Sequence, residues 1–188
     1  MRHFDAHAET VEPVIRTGAG ARARKVKLIL MDVDGVLTDG RIIFDDTPGE
    51  MKFFDAQDGV GVRLAERVGL KFGIITGRES QALERRCREI GITELHQRSL
   101  KKIVAYEKIL ASHKLKDEDV AFMGDDIVDA PVLKRVGFAV TVPNAVPQVR
   151  RLAHFVTSRA GGRGAVRQAL DFILKVQNRW GDATRGYA

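Results

Sequence analysis

The sequence predicts an α/β fold built on a doubly wound, Rossmann-like parallel sheet, and three observations carry that expectation. From residue 26 onward, short apolar runs recur at Val26–Met31, Phe72–Thr76, Val120–Met123 and Phe138–Val142, each bounded by Asp, Gly or Pro and short enough for a buried strand. The stretches between them place apolar residues three and four apart, as in Val62, Ala65, Val68, in Leu83, Cys87, Ile90 and in Ile103, Tyr106, Leu110, which is the spacing of a helix with one buried face. Carboxylates, a hydroxyl and a lysine stand just after the runs. Parallel strands need long crossovers, which helices supply, and in such sheets ligands bind beyond the carboxyl ends of the strands.

Taken in order, residues 1–24 lack a long apolar stretch and read as a mobile N-terminal extension before a single domain over residues 25–180. After the first apolar run, Arg41–Phe44 and Met51–Phe54 are β-prone and flank Asp45-Asp46-Thr47-Pro48-Gly49-Glu50, so a projecting β-hairpin is expected. Two strands alone are marginal in water. Ile42, Ile43, Phe44, Phe53 and Phe54 on such a ribbon predict burial against another copy of the chain. Later, Pro143-Asn144-Ala145 starts a short helix and His154-Phe155-Val156 forms a last strand. Ala160-Gly161-Gly162-Arg163-Gly164 then leads into a helix reaching about Gln177.

The composition excludes several classes. With 44% hydrophobic and 30% charged residues, the chain of 188 residues can bury a core and is too apolar for disorder. The formal charge of +6 would suit a nucleic-acid binder, but its distribution argues otherwise. Residues 26–149 carry a net −2, and residues 150–188 carry +6. No aromatic-rich stacking stretch accompanies the basic tail. The lone Cys87 permits no intrachain disulfide, and no apolar run is long enough to span a membrane. A cytoplasmic protein binding neither nucleic acid nor membrane is expected.

The strongest chemical signal is Asp32-Val33-Asp34-Gly35-Val36-Leu37-Thr38-Asp39-Gly40 at the first strand exit. Two carboxylates one residue apart are costly to bury without a cation or a hydrogen-bond network, and Mg²⁺ takes oxygen ligands while leaving room for phosphate. The second run ends in Thr76-Gly77-Arg78, a hydroxyl and a guanidinium suited to phosphate oxygens. The third ends in Gly124-Asp125-Asp126, with Asp129 three residues on. Lys101 and Lys102 open a helix that Ser99 can cap, against the preference of the helix dipole. Each motif alone is weak, but their order along successive strand exits is not.

At these residues the sequence resembles the haloacid dehalogenase-like phosphotransferase superfamily over roughly residues 26–165. The resemblance implies a catalytic set of Asp32 as nucleophile, Asp34 as general acid and base, Thr76 as phosphate-binding hydroxyl and Lys102 as the motif lysine. It implies Mg²⁺ held by Asp32, Asp34 and Asp125; Asp126 and Asp129 are expected to orient those ligands or to start a helix rather than to bind the ion. The intervals between Asp32, Thr76 and Lys102 leave no room for a cap domain. Within the superfamily the chain is similar to the 3-deoxy-D-manno-octulosonate 8-phosphate phosphatase family of lipopolysaccharide-sugar synthesis. Asp55-Ala56-Gln57-Asp58-Gly59-Val60-Gly61-Val62-Arg63 and Ala160-Gly161-Gly162-Arg163-Gly164-Ala165-Val166-Arg167 add to that likeness.

This second resemblance implies a capless homotetramer associated through the hairpin and a phosphorylated sugar acid as substrate. Substrate contacts are implied at Asp34, Asp55, Ala56, Gln57, Asp58, Gly59, Arg63, Arg78, Arg86 and Lys102, and at Arg163 on a mobile arm closing a neighbour's site. The family often has Arg where Gln57 stands and Asn or His where Asp55 stands, so one anion contact is expected to differ. A nonulosonate 9-phosphate phosphatase is the alternative enzyme, and a basic nucleic-acid-binding protein the alternative from another class.

Overall fold

The computed structural model describes residues 12–43 and 50–187. Its strands are β1 (Val14–Ile15), β2 (Leu28–Met31), β3 (Lys71–Ile75), β4 (Glu94–His96), β5 (Val120–Met123), β6 (Phe138–Thr141) and β7 (Phe155–Val156). Its helices are α1 (Ala19–Ala23), α2 (Ala56–Arg67), α3 (Gln81–Ile90), α4 (Lys102–His113), α5 (Ala130–Leu133), α6 (Pro147–Leu152), α7 (Ala165–Val176) and α8 (Trp180–Ala183). The strands form one sheet in the order β1-β7-β6-β5-β2-β3-β4, parallel throughout except for the β1–β7 pair.

The four residues of each of β2, β5 and β6 are all buried, as strands covered on both faces require, which explains their unbroken apolar runs. Ile29 stands opposite Phe72 of β3 on one side and Ala121 of β5 on the other. Helix α3 begins where the Ser80 side chain accepts the Leu83 N–H and ends at Gly91, whose φ of 86° suits a residue without Cβ. The chain leaves β2 toward β3 on one side, and leaves β5 toward β6 on the other. The carboxyl ends of β2 and β5 therefore flank the switch point, where a ligand crevice opens.

The doubly wound α/β class holds, and four local expectations change. Part of the segment expected to be a mobile extension is docked: Val14 and Ile15 pair with Val156 and Phe155, and Ala19 and Ala23 are fully buried. The reason is edge chemistry, because β1 satisfies backbone groups that β7 would otherwise leave open. Residues 1–11 lie outside the described residues. The expected hairpin shows no strand in its described parts, 41–43 and 50–54, and 44–49 lie outside the described residues. Among the described residues no strand pairs with 41–43 or 50–54, and two strands alone are marginal; the sheet's antiparallel pair is β1–β7.

The helix expected from Pro143 begins at Pro147 instead. Pro147 takes the first helical position, where a missing N–H costs nothing, while Asn144 is engaged elsewhere: its side chain donates to Gly35 O at 2.9 Å and accepts from Gly161 N–H at 2.8 Å. Ser99 does not cap α4, since its hydroxyl donates to Gln97 O. Among the described residues no helix is long and apolar enough to cross a membrane.

Candidate active site

Strand β2 continues one bond past its end, with Asp32 N–H donating to Met123 O at 2.9 Å, so the Asp32 side chain is fixed at the mouth of the sheet. Lys102, on the first turn of α4, points the buried ammonium at two carboxylates, 2.7 Å from Asp32 Oδ1 and 2.6 Å from Asp129 Oδ1. Those anions offset what a cation costs at a helix start. Asp129 is fully buried, and its other oxygen accepts the N–H groups of Asp125 and Asp126 at 3.0 and 3.1 Å, so its acceptor capacity is used within the protein. Thr76 is buried at the end of β3, tied by its N–H to His96 O and by its carbonyl to Ser99 N–H. Gly35 has φ of 92°, and a Cβ there would collide with the Asp125 carboxylate.

Asp32, Asp34, Thr76, Arg78, Lys102 and Asp125 line one cleft of about 310 Å³. The structure thus brings together the residues that the strand exits predicted. One oxygen each from Asp32, Asp125 and Asp129 lie within 4.8 Å of one another, with a single ammonium among them. Burial raises Asp32 to about 6, with Lys102 pulling it down and Asp129 pushing it up. Burial, then Asp32 and Asp129, raise Asp125 to about 7. Burial disfavours the Lys102 ammonium, but Asp32 and Asp129 outweigh it and hold that group above its usual range.

Asp125 Oδ1 is buried without a partner. An excess of converging carboxylate oxygen with one orphan acceptor fits a hard divalent cation such as Mg²⁺, with Asp32 and Asp125 as the available donors. The Asp34 carboxylate, expected as a third ligand, is not in that cluster. It accepts from Lys52 Nζ at 2.5 Å and faces Arg78 Nε at 3.7 Å. Sequence reasoning missed Lys52 and its second partner, Glu50. The one signal was a lone charge among the apolar residues Met51, Phe53 and Phe54.

The remaining predicted residues divide differently. Asp55, Ala56 and Arg163 line a neighbouring cavity of about 520 Å³ with Asp39, Arg41, Phe53 and Phe54. Asp55 caps α2 by accepting the Gln57 N–H at 2.7 Å, and Arg86 donates to Asp55 O at 3.0 Å across Gly59, where a Cβ would meet the guanidinium. Gln57 Oε1 accepts from Arg159 at 2.5 Å. Asp58 is buried and accepts the Arg167 N–H at 2.7 Å, which caps α7 from the side, and burial lifts its carboxyl to about 7. Arg63 is turned away from both cavities' acidic residues, toward Glu89 O and Glu66.

The glycine segment expected as an arm to a neighbour is braced on its own chain. Gly162 N–H donates to Val36 O at 3.0 Å, and a Cβ on Gly161 would collide with the Gly35 carbonyl.

Comparison with known proteins agrees with this geometry. A haloacid dehalogenase-like hydrolase family model matches residues 88–170. The 3-deoxy-D-manno-octulosonate 8-phosphate phosphatase of Escherichia coli (strain K12) is 40% identical over 163 residues, 87% of each chain. That of Yersinia pestis is 42% identical over 163 residues, again 87% of each. The Yersinia pestis crystal structure superposes with a TM-score of 0.85 at 41% identity, covering 87% of this chain and 89% of that one. A Moraxella catarrhalis structure of the same phosphatase, in complex with magnesium, phosphate and KDO, superposes with a TM-score of 0.88 at 35% identity, covering 90% and 98%. With such identity over most of its length, and strand-end carboxylates converging beside a buried lysine, the chain belongs to the 3-deoxy-D-manno-octulosonate 8-phosphate phosphatase family of haloacid dehalogenase-like hydrolases, a family of phosphoric monoester hydrolases.

Proposed function

We propose that the chain is a Mg²⁺-dependent phosphatase that converts 3-deoxy-D-manno-octulosonate 8-phosphate to the free sugar acid and phosphate, in the cytoplasm, as a step of lipopolysaccharide synthesis. The observation that carries this reading is the convergence of Asp32, Asp125 and Lys102 in the cleft that Thr76 and Arg78 also line. The relatives' substrate supports the choice of sugar acid.

In this reading Lys102 holds Asp32 Oδ1, so the carboxylate is aimed into the cleft. Asp32 attacks phosphorus in line, forming an aspartyl phosphate and breaking the ester P–O bond. Asp34 gives its proton to the departing sugar alkoxide, then takes one from the water that attacks phosphorus and releases phosphate. Thr76, Arg78 and Lys102 orient the transferring oxygens. Mg²⁺ held by Asp32 and Asp125 would offset the repulsion between carboxylate and phosphate dianion. Asp55, Ala56 and Arg163 supply the neighbouring cavity in which the sugar acid extends.

The test is phosphate release from octulosonate, nonulosonate and nucleotide phosphates, with and without Mg²⁺, for the wild type and Asp32→Asn. The octulosonate ester is expected to lead the panel, and the variant to lose activity by a factor on the order of 10³ or more. Undiminished release by the variant sinks the nucleophile assignment, and a panel led by nucleotides sinks the sugar-acid reading.

A further inference from the structure

An ammonium with 5% of its side chain exposed needs carboxylates around it, because an unpaired buried charge is strongly destabilising. Lys52 has two: Asp34 Oδ1 at 2.5 Å and Glu50 Oε1 at 3.2 Å. Arg78 closes the ring, 3.1 Å from Glu50 Oε1 and 3.7 Å from Asp34 Oδ2. Asp34 Oδ1 is therefore held by Lys52, while Oδ2 has only Arg78 near it, beyond hydrogen-bond reach, and the oxygens that converge with one left over for a divalent ion belong to Asp32 and Asp125.

Asp34 lies only two residues from Asp32, and left free its carboxylate would be drawn to that same ion. Arg78 is 42% exposed and able to swing toward a phosphate oxygen. The Lys52 side chain is buried, anchored by Glu50, and does not line the cleft that Asp34 lines.

We propose that Lys52 is a positioning residue: anchored by Glu50, it turns the Asp34 carboxyl toward the leaving-group oxygen and keeps it out of the cation's coordination sphere. This inference rests on the reading of Asp34 as proton donor. Lys52 thereby reaches into the chemistry without touching substrate.

The test compares two esters of the holoenzyme with Mg²⁺ present: 3-deoxy-D-manno-octulosonate 8-phosphate, whose alkoxide cannot leave unprotonated, and p-nitrophenyl phosphate, whose phenolate can. Asp34→Asn sets the scale, with a selective loss on the sugar ester of ~10²–10⁴-fold, the usual contribution of a general acid. Lys52→Met is expected to lower kcat on the sugar ester by about 10-fold or more and on the aryl ester by no more than about 3-fold, with Lys52→Arg restoring most of the difference. Glu50→Gln, which removes only the anchor, is expected to give a smaller loss of the same selectivity, and it carries the comparison if Lys52→Met does not fold. Equal losses on both esters in the Lys52 or Glu50 variants, beside a selective Asp34→Asn, overturn the positioning role alone. A non-selective Asp34→Asn removes the proton-donor reading and this inference with it.

Discussion

Asp58 shows how one residue can satisfy a motif and still do other work. It stands in the stretch that the family likeness assigns to substrate, yet its Oδ1 accepts the Arg167 N–H and its Oδ2 is buried without a partner. Burial raises the folded-state carboxyl from 3.8 to about 7. The folded protein then holds this proton more tightly than the unfolded chain. The associated stability is fully present below about pH 4 and is lost as pH rises through about 7. Asp58→Asn keeps the acceptor for Arg167 and removes the ionisation. Its stability relative to wild type is expected to rise between pH 5 and pH 8 in urea-unfolding curves; parallel pH profiles would contradict the assignment. Asp32, Asp34, Thr76, Lys102 and Asp125 were legible because strand exits order them along the sequence. Lys52 was not, since its partner Asp34 lies 18 residues away and no local pattern marks that pairing.

At the scale of elements, the buried strands were readable because coverage on both faces leaves only apolar residues in β2, β5 and β6. Helix α6 was misplaced because Asn144, a residue type that starts helices, spends its amide bridging Gly35 and Gly161. That bridge ties the glycine segment to the loop that follows Asp32. Gly161→Ala drives a methyl into the Gly35 carbonyl, which as backbone cannot yield. The expected result is a loss of at least about 1 kcal/mol of stability, in the range of overpacking, with a fall in kcat out of proportion to it. Steady-state kinetics on the folded fraction checks this, and wild-type turnover would show that the brace is dispensable.

For the whole molecule, the edges were the least legible part. That Val14 and Ile15 would pair with a strand about 140 residues later is a matter of which backbone groups remain open at β7, and no local pattern encodes it. Assembly is decided by surface as well. Ile42 and Met51 are each 50% exposed and Phe53 67%, an apolar set on the segments where the hairpin was expected. We expect light scattering to give a mass about four times the 20.8 kDa of the chain, and Phe53→Asp to lower it. A monomeric wild type would leave this surface without its proposed cover.

The brace between Gly161 and the Asp32 loop also orders events in time. During synthesis the nucleophile's strand emerges more than 120 residues before the glycine segment that seats its loop and the helix α7 that lies against α2. A chain cut before Gly161 would keep Asp32 on its strand but lose the bridge from Gly161 through Asn144 to Gly35. Such a truncated chain is expected to release no phosphate from the sugar ester, and measurable release by it would show that the nucleophile works without the bridge.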